Sequence, residues 1–509
     1  MKKITFLILI TLTTTITQAQ NITDGLRYST NQNIGTARFT ALSGAMGALG
    51  GDFSAININP AGGAVFLDSN LSFSGSIFDL SNKANYFNNS EKSIANDFSI
   101  NQLGGVFVIN NANEDSAFKR ITIGLGYNVD KNFENQLYIA GNGNTSISNF
   151  FLEQAQGIPL NLLDLRAGES ISDLYQFLGE TEGVAAQNAF LGYQAFLFDA
   201  VDPSNPSNTS YISNISGGNF NQEYEYLSQG YNSKFSINLA AQITNDLYFG
   251  ININTHTLNY DQSTFLLETN SNPGSTVNRV GFENNLSVNG AGISAQIGGI
   301  AKIGEHFRLG LSLDTPTWFQ ISEETTQYLE SRRLFEGQTI NEIIDPRIIN
   351  VYEDYTLITP AKVTASAAYI FGQKGLISFD YSYKDYSSIE FNTIDNYNSS
   401  YFNDLNNTLE NTLKGVSTFK VGAEYRLNQL SLRGGFHYEN SPYKNDKTAG
   451  DVTGFSAGAG YNFGKFTFDL AYSRAEQQRN QQLYTVGLTD AANINSINSN
   501  VVATLGFKF

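Results

Sequence analysis

From residue 66 onward the chain alternates apolar and polar side chains, segment after segment. In "KFTFDLAYS" Phe466, Phe468, Leu470 and Tyr472 form the apolar set, interleaved with Lys465, Thr467, Asp469, Ala471 and Ser473. "LISFDYSYK" sets Ile377, Phe379, Tyr381 and Tyr383 against Ser378, Asp380, Ser382 and Lys384, and "LSLRGGFHY" repeats the pattern with Leu430, Leu432, Phe436 and Tyr438. A period of two means strands with one apolar face. The segments pair across very short turns near 245, 305, 373, 428 and 464, whereas the other connections run from roughly 10 to 100 residues.

The spacing predicts fourteen strands, near 67–80, 98–110, 118–130, 232–243, 247–260, 284–302, 307–320, 355–372, 375–391, 414–426, 429–440, 451–463, 465–478 and 499–509. Short turns on one side and long loops on the other are the asymmetry of an outer-membrane β-barrel, with both termini on the periplasmic side. A soluble all-β protein would alternate too, but three features favour the membrane. The apolar positions are unusually aromatic, the turn lengths are two-sided, and the chain stops at "VVATLGFKF", with Val501, Ala503, Leu505, Phe507 and Phe509 on one face. That aromatic end resembles the recognition signal of bacterial outer-membrane barrels and implies the barrel-assembly machinery as a partner. Prolines are expected in loops or at strand rims, Pro316 and Pro360 among them.

Residues 1–19 read as a secretory signal: Lys2 and Lys3, an apolar run from Ile4 to Leu12, and a close on Thr17-Gln18-Ala19. Elsewhere no 18 apolar residues run together, so the chain has no transmembrane helix and could cross a membrane only as a barrel. The absence of cysteine removes disulfides, a lipid-anchored cysteine, thiol catalysis and cysteine-bound zinc. A formal charge of −17 argues against nucleic acid as a partner. The acidic excess sits mainly in residues 131–231, with 11 acidic and 2 basic side chains, a stretch expected as a long extracellular loop.

Residues 20–65 stand outside this rhythm and precede a barrel assigned to 66–509. In "ALSGAMGALGGDFSAININPAG" Phe39, Leu42, Met46, Leu49 and Phe53 recur at steps of 3 and 4, which predicts one apolar face on a thin helical rod of small residues. A fourteen-stranded barrel is wide enough to leak, so this segment is expected to be a hatch in the lumen, with Asn59-Pro60-Ala61-Gly62 turning the chain into the first strand.

"GALGGDFSAININPAG" resembles the N-terminal signature of the FadL/TodX family of outer-membrane transporters, through Asp52, Ser54, Asn59, Pro60, Ala61 and Gly62. "LGLSLDTPTWF", "ISFDYSYKDYS" and "LSLRGGFHYENSPY" are similar in style to the Bacteroidetes-type members. The resemblance implies a monomeric fourteen-stranded barrel that binds long-chain fatty acids or related hydrophobic molecules. Ligand would enter from the loops, bind beside the hatch with Phe39, Leu42, Met46, Leu49, Phe53, Asn59, Pro60 and Ala61 gating it, and leave sideways into the outer-membrane lipid. Other readings are a diffusion porin with an inert N-terminus and a structural or adhesive barrel.

No cofactor, metal or catalytic residue is expected. His256 and His437 face the lumen by parity and His306 sits in a turn, an arrangement unlike a Ser-His hydrolase. Lys362, Asp380, Lys384, Lys420, Glu424, Arg426, Arg433, Lys465 and Asp469 are expected to form a luminal ion-pair lattice, in which Arg433 or Lys420 could hold a carboxylate. In the long loop, Phe150, Phe151, Leu160, Leu162, Leu163, Leu174, Phe177 and Leu178 either pack as a lid or offer an apolar landing surface.

Overall fold

The computed structural model describes residues 21–111, 118–394, 399–445 and 447–509; the expected signal segment 1–19 lies outside them. Fourteen antiparallel strands close into a barrel. They are β1 (Asn70–Tyr86), β2 (Asn89–Asn110), β3 (Arg120–Asn132, resumed at Asn135–Gly143), β4 (Phe220–Gln242), β5 (Leu247–Thr269), β6 (Val277–Ile303) and β7 (Phe307–Asp314, resumed at Trp318–Phe335). β8 comprises Tyr355–Ile358 and Lys362–Ile370, and β9 comprises Gly375–Asp385 and Glu390–Thr393. β10 (Gly415–Leu427), β11 (Leu430–Glu439), β12 (Val452–Asn462), β13 (Phe466–Gln482) and β14 (Ala491–Lys508) complete the wall. The first and last strands pair from Asn70↔Lys508 to Asn85↔Asn493, so the sheet has no free edge there.

The wall is apolar outside and polar inside. Ile253 is 61% exposed, while Asn252 and Asn254 on either side of it are 1% exposed. Phe73, Phe235, Leu311, Phe379, Phe436, Phe468 and Phe507 continue the outward belt, and Ser74, Asn238, Ser312, Thr364, Ser366 and Asp380 face the closed interior. A continuous apolar exterior of this kind needs lipid around it.

Several strands outrun what a bilayer requires. β4, β5 and β6 have 23, 23 and 27 residues, against about 9–11 for a tilted crossing. Their surplus stands at the long-loop end and carries a lid of three helices, Ser148–Ala155, Ile171–Thr181 and Val184–Gln194. Both ends of the stretch 131–231 are therefore wall, and the loop itself spans 144–219. Pro316 and Pro360 also depart from expectation: they break β7 and β8 inside the wall, not at its rim. The breaks face each other, with Thr317 N–H donating to Thr359 Oγ1 (3.0 Å) and Thr359 N–H to the Thr317 carbonyl (3.0 Å), which satisfies the strands where proline offers no donor.

The N-terminal segment lies within the barrel. It comprises helices αI (Ile22–Ser29), αII (Ala37–Ala41) and αIII (Phe53–Ile56), then a 3-10 turn over Pro60–Val65. The single rod expected from the 3–4 spacing does not form. Ser43 (φ 51°) and Gly44 (φ 77°) adopt left-handed backbone just after αII, and Gly50 and Gly51 do so again before αIII. Phe39, Leu42, Met46 and Leu49 still meet in one cluster, with Ala48, Ala55, Ala368 and Leu376. Phe53 departs from them and packs with Ile56, Phe66 and Val106.

Candidate functional site

The hatch is held by wall side chains that reach its backbone. One carboxylate oxygen of Asp380 accepts the amides of Met46 (3.0 Å) and Gly47 (2.9 Å). Arg308 donates to the Leu49 carbonyl (2.9 Å), Ser312 to Ile58 (2.7 Å), Asn252 to Ile56 (3.0 Å) and Asn238 to Pro60 (3.0 Å). Glycine on the wall permits this closeness: a Cβ at Gly310 would lie 2.4 Å from the Gly47 carbonyl oxygen, and one at Gly250 would lie 2.4 Å from that of Pro60.

The signature residues have local work. Asp52 caps αIII by accepting the Ser54 amide (2.9 Å) and also accepts the Thr36 hydroxyl (2.9 Å), while Ser54 Oγ accepts the Thr36 amide (2.8 Å). This closes αII onto αIII. Asn59 accepts the Ala61 amide (3.1 Å) and donates to the carbonyls of Gly47 (2.8 Å) and Gly299 (3.0 Å), with Pro60 at the first position of the 3-10 turn. Phe39, Leu42, Met46, Leu49, Phe53, Asn59, Pro60 and Ala61 are all buried, so they join the hatch to itself and to the wall.

The ion-pair lattice forms around Glu424. Its carboxylate accepts Arg38 of the hatch (2.9 Å), Arg433 (2.7 Å) and Arg426, and Arg433 also pairs with Asp469. Burial alone would weaken Arg38's hold on its proton, but Glu424 and Asp52 beside it raise its pKa above the ordinary value. Burial likewise raises the Asp52 carboxyl, opposed by Arg38 and its hydrogen bonds to Thr36 and Ser54. Arg433 is thus engaged on both sides by protein carboxylates, which corrects the expectation that it could receive one from a ligand. Lys465 is exposed in the turn before β13 and takes no part.

Lys420 belongs to a different set. Its Nζ reaches Asn33 Oδ1 (3.4 Å), Lys384 donates to the Ser29 carbonyl and to Asn31 Oδ1 (3.4 Å), and Lys131 donates to the Arg27 carbonyl (3.0 Å) and Thr30 Oγ1. Three lysines from three strands thus converge on hatch residues 27–33, and none makes an ion pair with a described residue. They border an apolar cluster in which Leu26 and Tyr28 meet Phe133, Tyr260, Tyr355, Tyr386 and Phe402. Lys131 Nζ lies 5.5 Å from the Phe133 ring centroid and Lys384 Nζ 5.2 Å from that of Tyr386. Lys131 escaped the sequence reading, because it stands at the end of a strand that bends and its partners, a backbone carbonyl and the Thr30 hydroxyl, belong to the hatch.

The wall is interrupted beside these lysines. The β2–β3 ladder runs only from Asn110↔Arg120 to Gln102↔Asn128, and residues 89–101 of β2 pair with β1 alone. Opposite them β3 breaks, and Phe133 turns inward to 5% exposure. Only side chains bridge the gap: Asn132 donates to Asp97 (2.7 Å) and Ser93 to the Gln136 carbonyl (2.9 Å).

Among the loop residues, Phe150, Phe151, Leu160, Leu163, Leu174 and Leu178 are buried in the lid, Leu162 packs against it, and Phe177 alone of the eight is well exposed. The lid reading describes them better than a landing surface. His256 and His437 are buried in the wall and His306 is exposed, bonded to the Ile370 carbonyl (3.0 Å).

An apolar belt, a polar lumen, a seated hatch and a lapse in the wall together define a transport barrel of the outer membrane. The chain belongs to the family of outer membrane protein transport proteins (OMPP1/FadL/TodX), whose model matches residues 207–509. The match begins inside the lid, so the hatch signature lies outside it. Among solved structures the chain is similar to a Pseudomonas aeruginosa FadL homologue (13% identity, TM-score 0.53, covering 94% of this chain and 100% of that one). It is also similar to the P. putida toluene transporter TodX (12% identity, TM-score 0.50, covering 95% and 99%). At such identity the likeness speaks for the fold. None of the curated proteins matches the chain.

Proposed function

We propose that the protein carries long-chain fatty acids across the outer membrane. They are taken up at the long-loop end, which faces outward, are bound beside the hatch, and leave sideways through the gap between β2 and β3. The observation that carries this reading is the trio Lys131, Lys384 and Lys420, three lysines that bond hatch oxygens and make no ion pair with a described residue, at the edge of an apolar cluster. An ionised head would replace the hatch oxygens with a stronger, charge-assisted bond, and the tail would lie against the aromatic side chains. Sideways release keeps the chain out of water, which would otherwise cost about 0.8 kcal/mol per methylene.

A neutral monoaromatic, the cargo suggested by the toluene-transporter neighbour, would leave those lysines on their hatch oxygens and give them no carboxylate. Titration of the purified barrel with oleate and with oleyl alcohol separates the two. Oleate should bind at least about tenfold tighter, and the preference should vanish when Lys131, Lys384 and Lys420 are all changed to Gln. Equal affinity for the alcohol, or a preference for toluene, would overturn the assignment to acids.

A further inference from the structure

At the long-loop end, away from the hatch and at the outer limit of the gap, the β1–β2 turn leans over β3 and borders an open groove of about 590 Å³. It is lined by Phe87, Asn88, Asn142, Asn144 and Asn219. No charged side chain lines it. None of the four carboxamides hydrogen-bonds another described residue, so each keeps a free donor and a free acceptor.

The aromatic member is held there at a cost. Phe87 has φ 50°, a left-handed backbone that suits glycine and strains a bulky residue, and the residue stays 46% exposed. Its position is fixed from below. The Tyr86 ring meets it edge-on at 4.5 Å, and Tyr86 Oη donates to Gln222 Oε1 (2.9 Å). A Cβ at Gly143 would stand 2.9 Å from the Phe87 ring, so glycine there lets the ring lie against the strand. Along the same strand Gly141 and Gly143 lie under the turn, and the exposed Asn142 and Asn144 stand beside them at the strand end.

We infer that this groove binds a neutral saccharide. A pyranose has one face of C–H groups, which stacks on an aromatic ring, and a rim of hydroxyls that both donate and accept, as carboxamides do. The volume suits a small oligosaccharide, and four short side chains fixed to strand ends and turns lose little freedom on binding. An anionic ligand or a metal ion would find no charge to meet it. The glycan could come from the lipopolysaccharide around the barrel or from outside the cell.

Saturation-transfer NMR on the detergent-solubilised full chain tests this with two probes: neutral outer sugars of the lipopolysaccharide of the producing strain, freed of phosphate and acidic residues, and neutral gluco-oligosaccharides. Binding of either supports the site, the first pointing to the membrane's own glycan and the second to an external one. Phe87→Gly removes the ring while relieving the backbone strain, so the barrel should keep its heat resistance and its oleate uptake, and glycan affinity should fall about tenfold. Asn142→Ala should weaken binding in the same direction and decides the matter should the first variant fold poorly. Absence of binding by both probes, or affinity within twofold of wild type in well-folded Phe87→Gly, would overturn the inference.

Discussion

The carboxylate of Asp380, on the barrel wall, accepts the backbone amide of Gly47, in the hatch, at 2.9 Å. The same oxygen accepts the neighbouring amide of Met46, so one side chain fixes the turn that replaces the expected rod. Seating of the hatch is therefore separable from assembly of the wall, whose ladder does not pass through residues 21–65.

Replacing Asp380 with Ala leaves two buried amides unpaired, at about 1.5–3 kcal/mol for each charge-assisted bond. The hatch should loosen while the barrel still forms. In planar bilayers the variant should show more frequent ion-conducting openings than wild type, with equal yield of heat-resistant barrel. Asp380→Asn, which keeps one acceptor, should act more mildly.

Gly47→Trp should obstruct the route or lift the hatch. A Cβ at this position already falls 2.1 Å from Ser366 Oγ and 3.2 Å from Asp380 Oδ2, so an indole has no space without displacement. Uptake of labelled fatty acid should fall or ion leak rise, with barrel yield unchanged. Pro60→Ala should have a smaller effect in the same direction, through freedom gained at the turn.

Arg433→Met should cost stability rather than affinity. Arg433 is the partner of the buried Asp469 and one of three arginines on Glu424, so its loss strands a carboxylate at a cost of about 3 kcal/mol. The temperature at which the barrel loses heat resistance in detergent should drop, and oleate affinity should stay within about twofold.

Much of the wall was legible because its two faces differ so sharply. Strict alternation holds wherever a strand has lipid on one side and lumen on the other, as in Phe249, Ile251 and Ile253 against Asn252 and Asn254. It fades where the strands rise beyond the membrane. "NQEYEYLSQ" (221–229) belongs to β4 but meets the lid on one face and water on the other, so its period is weak and the loop looked longer than it is. The hatch misled for a local reason: the 3–4 spacing from Phe39 to Leu49 does bring four side chains together, but through a left-handed turn at Ser43 and Gly44 that a period cannot register, and a second at Gly50 and Gly51 sends Phe53 elsewhere. Lys420 could be singled out from its strand, whereas Lys131 and Lys384 become its companions only once residues 27–33 lie between them.

The most direct test addresses the sideways exit. The chain has no cysteine, and Asp97 and Asn132 touch across the gap at 2.7 Å, so Asp97→Cys with Asn132→Cys gives a pair that a short thiol cross-linker can bridge. Saturable uptake of labelled oleate should be abolished by cross-linking in intact cells, retained in each single variant, and restored when a reducible linker is cleaved. Uptake that continues at the wild-type rate through a fully cross-linked barrel would contradict lateral release, and absence of saturable oleate uptake by the unmodified protein would contradict the transport of fatty acids altogether.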